Sequence, residues 1–494
     1  MMRGVLMAGA MPLVMCAAAA VPVAPPAAPA LRLYAQTLEV EYASAEDAAR
    51  ARLSVAPVYD GREWAFSARW DDCNLNSLQM RQHMAKFGLK GTFYLTQNDQ
   101  KNSFGPEYCR QLMQDGFSIG GHTMTHPKLP ELNAGAIWWE LCANRVGRED
   151  DTETPLNSLA FSYGQFRSNT KPEVFAMVSE AVRRSGYHHC VYADFVRGNP
   201  YLAPNEFSTG CQVVPGDRTV DAAKFQEQLA KPLTMSPEAY RAWTHCLSLG
   251  VHAWQAGEEW KKLEAVFETI AGKPEWWYCN HTEWAAYARQ ATCSVLRSEA
   301  APATAAGRRY ALSRPVPADL GAAVPLTCLV KGAAVRAITL DGTAMPFETR
   351  ADTVVVNLPH GQGQALPQRI GHIEVPAAAP TLADDQQCAD FPGLKGLLLP
   401  DTAQRRLTLT LSAPAVGELR GLHIRFRLPL RYEPGVVTTT LDRIAAGAQQ
   451  IVAVELPAAR TEAFWAEGPQ YWVAEIDFTD SSGPNRLFVT RLVP

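Results

Sequence analysis

A chain of 494 residues with 47% hydrophobic and 19% charged content is too long for one ordinary domain, and two or three packed cores are expected. The formal net charge of −4 is small for this length. No lysine/arginine cluster stands out either, which excludes a nucleic-acid binder built on a basic surface.

Residues 1–4 carry one positive charge at Arg3, and residues 5–20 are almost wholly apolar and end in "CAAAA". A charged start, a short apolar core and small residues before a cut have the form of a secretory signal peptide over residues 1–20. The mature chain is therefore expected in the periplasm or outside the cell. The apolar run is too short for a membrane span, and no stable membrane insertion is expected elsewhere. Cys16 follows Met15, which is larger than the residue lipidation sites favour and argues against a lipid anchor. Loss of Cys16 with the signal peptide leaves ten cysteines, an even number that permits disulfides in an exported chain.

Residues 21–60 read as a linker, "VPVAPPAAPA", and an N-terminal lead-in. Over residues 61–295 strand-like and helical runs alternate. "WAFSARW" is a predicted strand, and Leu75, Leu78, Met84 and Phe87 follow at near-helical spacing. "TFYLT" is a second strand, residues 106–114 form a helix with proline in its first turn, Gly116 ends it, and "FSI" is a third strand. This alternation predicts a parallel sheet or (β/α) barrel. Residues 296–494 change grammar: "RRLTLTLSA", "LHIRFRLPL" and "YWVAEIDFT" alternate apolar and polar residues between turns. They predict an antiparallel, sandwich-like β region, divisible into two modules near residue 375. That region holds no catalytic motif, so a chain ending near Ser298 is expected to keep its chemistry.

The polar residues of the first half fall at predicted strand ends. Asp71 and Asp72 follow "WAFSARW", His122 follows "FSIGG", Tyr163 follows "LAFS" and His252 follows "CLSLGV". In a parallel barrel such ends gather around one mouth. His122 and His126, four residues apart, are weak evidence alone. With Asp72 they make an Asp/His/His set that suits a divalent cation and leaves positions for water and substrate.

The motifs "WDDCN", "GGHTMTH", "FSYG" and "LGVH" resemble, in order and spacing, those of the polysaccharide deacetylases, carbohydrate esterase family four, over roughly residues 61–290. The resemblance implies a distorted (β/α) barrel and metal-dependent removal of acetyl groups from an N-acetylated or O-acetylated polysaccharide or oligosaccharide. It implies Asp71 as catalytic base, Asp72, His122 and His126 as metal ligands, and His252 as general acid. It also implies the backbone N–H of Tyr163 as oxyanion donor. Zinc is the expected ion, and cobalt, nickel or manganese also suit such donors. Two alternatives stand beside this reading: an O-acetyl esterase on a plant polysaccharide such as acetylxylan, and a non-catalytic glycan-binding or envelope protein.

The sequence departs from the family pattern in two places. Cys73 stands where the first motif has glycine, and no arginine precedes "FSYG" to pair with the base. Asp194 in "YADF" is a candidate to support the site from behind. His188, His189, His245 and His281 match no motif and read as structural, and Trp276, Trp277 and Trp284 read as core.

Overall fold

A computed structural model describes residues 31–72, 74–97, 105–192, 195, 211–213, 223, 226–227, 246–250, 252–253, 260–300, 302 and 304–494. The signal peptide and linker, with Cys73, Asp194 and His245, lie outside the described residues. In chain order the elements begin with β1 (Leu33–Tyr42), α1 (Ala45–Arg50) and β2 (Arg52–Val55). An alternating unit follows: β3 (Trp64–Asp71), α2 (Asn76–Ala85), β4 (Gly91–Leu95), α3 (Pro106–Leu112), β5 (Ser118–Gly121) and α4 (Ala134–Thr152). It continues through β6 (Ser158–Leu159), α5 (Glu173–Ser185), β7 (His189–Cys190), β8 (Cys211–Val213), β9 (Cys246–Leu249), α6 (Trp260–Ile270), β10 (Trp276–Tyr278) and α7 (His281–Cys293).

The strands of this unit pair in parallel in the order β7-β6-β5-β4-β3-β9-β8, and β10 also pairs with β3. Helices cover such a sheet, so its strands read as continuous apolar runs. All eight residues of β3 are buried, Arg69 and Asp71 among them. The expected barrel is a half-barrel: among the described residues β7 and β8 end the sheet and do not pair with each other.

Residues 33–55 are more than a lead-in. They supply β1, which lies antiparallel between β12 (Gly307–Pro315) and β14 (Val335–Leu340), and β2, which pairs with β13 (Leu326–Lys331). Leu38, Val40 and Tyr42 point inward and Glu39 and Glu41 outward, the two-residue period of a half-buried strand. Their apolar side chains share one core with Leu312, Val330 and Val356. The rest of the chain is also all-β. Strands from Arg369–Val375 to Gly483–Val493 form a second set of sheets around Leu398, Leu409, Ile424 and Ile476.

This second set is bound to the parallel unit by buried contacts. A Cβ on Gly135 of α4 would lie 2.2 Å from the carbonyl oxygen of Pro469, so only glycine allows that approach. Trp138 donates from Nε1 to the Tyr471 carbonyl at 2.7 Å. Arg184, fully buried, donates to the carbonyls of Leu428 at 3.2 Å and Pro429 at 2.6 Å. A chain ending at Ser298 would strand these groups. Cys109, Cys142, Cys190, Cys246, Cys279, Cys293, Cys328 and Cys388 are free thiols. Among the described residues no helix is long and apolar enough to cross a membrane.

Candidate metal centre and active site

The site lies at the C-terminal ends of β3, β5 and β9. β3 runs out at Asp71, and Asp72 turns away with φ +69°. β5 ends at Gly121, where a Cβ would meet the Tyr187 hydroxyl at 2.0 Å, so the residue before His122 has no room for a side chain. His122 is buried and donates from Nδ1 to the Ala160 carbonyl at 2.8 Å. A carbonyl only accepts, so the tautomer is fixed and the Nε2 lone pair faces the rim. Its backbone N–H donates to Asn144 Oδ1 at 2.9 Å. The following loop is held by Glu140, which accepts from the backbone N–H and the hydroxyl of Thr125 at 2.9 and 2.5 Å.

These supports bring three expected ligands together. Asp72 Oδ1 lies 3.3 Å from His122 Nε2 and 3.2 Å from His126 Nε2. One donor atom from each of the three falls within 4.8 Å of the others, the only such His/Cys/Asp/Glu group found among the described residues. An anionic oxygen and two imidazole nitrogens, one with its tautomer set from behind, fit a divalent first-row ion. Burial raises the pKa of the Asp72 carboxyl, but the adjoining His122 and His126 imidazoles outweigh it and hold the group well below the usual carboxylate range. His122 shifts the other way: burial lowers it, and the contact with Asp72 more than restores it.

Asp71 and His252 are neighbours across the ends of β3 and β9. His252 Nε2 is 3.6 Å from Asp72 Oδ2. Both carboxylate oxygens of Asp71 accept from Arg69, Oδ1 from Nε at 2.8 Å and Oδ2 from Nη2. Arg69 also donates to the Tyr192 hydroxyl at 2.7 Å, and that hydroxyl donates to the Phe161 carbonyl at 3.1 Å. The arginine expected before the third motif has a counterpart two residues before Asp71 on the same strand. The period of two places both side chains on one face, a signal the sequence carried. Asn144 and Glu140, four apart on one face of α4, were equally readable as a pair.

Tyr163 lies in the single turn Ser162–Gly164 with φ +55°, and its exposed ring meets the His126 ring edge-on at 4.6 Å. Asp72, Thr123, His126 and Tyr163 all have positive φ, four of the ten non-glycine residues that do so among those described. Each costs about 1–2 kcal/mol. Such strain gathers where a site needs it. Trp276 and Trp284 are core, and His189 and His281 belong to a buried hydroxyl network with Tyr94 and Ser158.

Comparison with known proteins agrees with the motifs. Residues 67–177, which include Asp71, Asp72, His122, His126 and Tyr163, match the model of the polysaccharide deacetylase family. No curated protein matches the chain. Among solved structures, the Xyl-CE4 domain of a multidomain xylanase from the hindgut metagenome of Trinervitermes trinervoides is 12% identical over 45% of this chain and 89% of its own, with TM-score 0.32. A family 4 carbohydrate esterase from Streptomyces lividans is 14% identical over 44% and 92%, with TM-score 0.30. The chitin deacetylase from Colletotrichum lindemuthianum is 13% identical over 44% and 86%, with TM-score 0.31.

Proposed function

We propose that the protein is an exported, metal-dependent hydrolase that removes acetyl groups from an N-acetylated or O-acetylated polysaccharide. The observation that carries this reading is the meeting of Asp72, His122 and His126 with the Arg69–Asp71 pair and His252 on one rim, inside the segment that matches the deacetylase family. Asp72, His122 and His126 would hold the ion. When bound, a divalent ion polarises the acetyl carbonyl and makes a coordinated water more acidic.

The chain's own residues do the rest. Arg69 fixes the Asp71 carboxylate in one plane, and each of its oxygens keeps a lone pair able to take the water's proton. His252 returns a proton to the departing amine or alkoxide. The backbone N–H of Tyr163 donates to the oxyanion of the tetrahedral intermediate. The all-β regions are read as sandwich-like and are the candidates for contact with the rest of the glycan.

The test is acetate release from acetylated chito-oligomers and from acetylated xylan, measured beside metal content. Release from the chito-oligomers supports the N-deacetylase. Release from xylan alone turns the reading to an O-acetyl esterase. A metal-replete protein that releases acetate from neither substrate overturns the proposal and leaves the non-catalytic reading.

A further inference from the structure

Tyr192, two residues beyond β7, stands between Asp71 and the turn that carries Tyr163. Its ring stacks on Phe161 at 5.6 Å and meets Phe166 at 6.0 Å, in a cluster that Phe175 and Phe195 complete. A hydroxyl buried among such rings is costly unless it is bonded, and packing alone would be served by a fifth phenylalanine. The Tyr192 oxygen is bonded on both sides. It accepts from Arg69 Nη2 at 2.7 Å and donates to the Phe161 carbonyl at 3.1 Å. Burial pushes this hydroxyl up to about 12 against the pull of Arg69, so it keeps its proton near neutrality.

Each partner leads to a different part of the chemistry. Arg69 Nη2 carries two protons, one given to Asp71 Oδ2 and the other to Tyr192, while Nε holds Asp71 Oδ1. The guanidinium plane is therefore held at its far side by the phenol as well as by the carboxylate. On the other side the Phe161 carbonyl closes the turn Ser162–Gly164. It accepts from the Gly164 N–H at 3.0 Å as well as from Tyr192, which uses both lone pairs. That turn holds Tyr163 at φ +55° and Gly164 at φ +64°. A Cβ on Gly164 would lie 3.4 Å from the Tyr192 oxygen, so the phenol packs against the turn itself.

We propose that Tyr192 is a positioning residue whose one hydroxyl sets the proton acceptor, Asp71, and the oxyanion donor, the Tyr163 N–H, in a fixed relation. This inference rests on the acetyl-hydrolase reading. The two groups act in a single event. The water's oxygen bonds to the acetyl carbon as its proton passes to Asp71, and the carbonyl electron pair moves to the oxygen that takes a hydrogen bond from the Tyr163 N–H. Groups that must act together lose rate when their separation drifts. A phenol bonded to both supports removes that drift, and a phenylalanine ring would bond to neither.

The test is kcat and KM for acetate release from acetylated chito-oligomers and acetylated xylan, with metal content and circular dichroism on every sample. Four variants run beside the wild type. Tyr192→Phe loses one oxygen and keeps the ring. Arg69→Lys keeps the charge and loses the fork. The third joins these two changes. Phe175→Leu loosens the same ring cluster and removes no hydroxyl.

Tyr192→Phe should lower kcat about tenfold, the scale of one lost hydrogen bond, with KM and metal content unchanged. The double variant should lose little more than either single one, well short of the roughly hundredfold product, because both changes break one connected set. Phe175→Leu should lower the denaturant midpoint and keep kcat within about twofold. An active wild type with an equally active Tyr192→Phe overturns this inference alone. So do losses that multiply in the double variant, a Tyr192→Phe that loses its metal or does not fold, and a Phe175→Leu that loses as much kcat as Tyr192→Phe. A wild type that releases no acetate overturns the acetyl-hydrolase reading, and this inference with it.

Discussion

The two ends of the parallel sheet both bury arginine against carboxylate, to different purposes. At the C-terminal rim one pair, Arg69–Asp71, stands among strained turns and half-exposed imidazoles. At the other end Arg145, Arg425, Arg427 and Arg486 share Glu149, Glu475 and Asp477 across the junction between the parallel unit and the last β region. A lone pair fixes one carboxylate in a set direction. A network in which every member has several partners ties elements together, and no member can be removed without leaving a buried charge behind. The same chemistry therefore orients at one end and fastens at the other, and the difference lies in how many partners each group has.

Substitutions can break this contrast. The largest effect is expected from His122→Ala: metal content should fall to background, and acetate release should drop roughly a thousand- to a hundred-thousand-fold, several kcal/mol of barrier. Elemental analysis beside turnover reads both. Asp71→Asn should keep the metal and slow turnover about a hundred- to ten-thousand-fold, because an amide cannot take the water's proton. Near-wild-type activity there would remove Asp71 as the base.

At the other end Arg486→Met should leave the chemistry of the folded enzyme unchanged and lower stability by about 3–5 kcal/mol, read as a shift in the denaturant midpoint. Arg69→Lys is the finer probe. It keeps the charge and loses the fork, so turnover should fall about tenfold with little change in stability. A large loss of stability instead would make the rim pair a fastener like the junction.

Acidification gives the smallest and broadest effect. Burial raises the pKa values of Asp319, Glu475 and Asp477, but the surrounding arginines outweigh it and hold all three below the carboxylate range. A depressed carboxyl contributes stability above its unfolded value of about 4 and loses it as pH falls. His189, His372 and His423, held well below the histidine range by burial, begin to cost stability below about pH 6.5. The denaturant midpoint should therefore be highest near neutrality, fall from there, and fall further as the carboxyls protonate below about pH 4.

The sequence carried much of the rim and little of the junction. "WAFSARW", "TFYLT" and "FSI" predict strands that are found at Trp64–Asp71, Gly91–Leu95 and Ser118–Gly121. Local periodicity decides such elements, and the strand ends place Asp72, His122 and His126 together. Arg69 escaped because the family pattern puts its arginine before the third motif, not two residues before Asp71 on the same strand. β1 escaped for a different reason. "TLEVEY" alternates as a strand should, but its partners lie beyond residue 300, and no local pattern announces a pairing across that distance. The junction arginines are scattered from Arg32 to Arg486 and are gathered only by the packing.

The placement of β1 has a consequence for how the chain is made. Residues 33–55 and 295–358 complete one another, and the parallel unit is an insertion spliced between the two halves of an all-β module. Synthesis runs at about 5–20 residues per second, so β1 emerges some tens of seconds before β12 exists to receive it. Throughout that interval its alternating apolar face is an unpaired edge, open to wrong partners. Glu39 and Glu41 on the opposite face keep it charged while it waits. The strand translated among the first is thus seated only after residues 307–340 have been made, with the strands from Arg369 onward still to come.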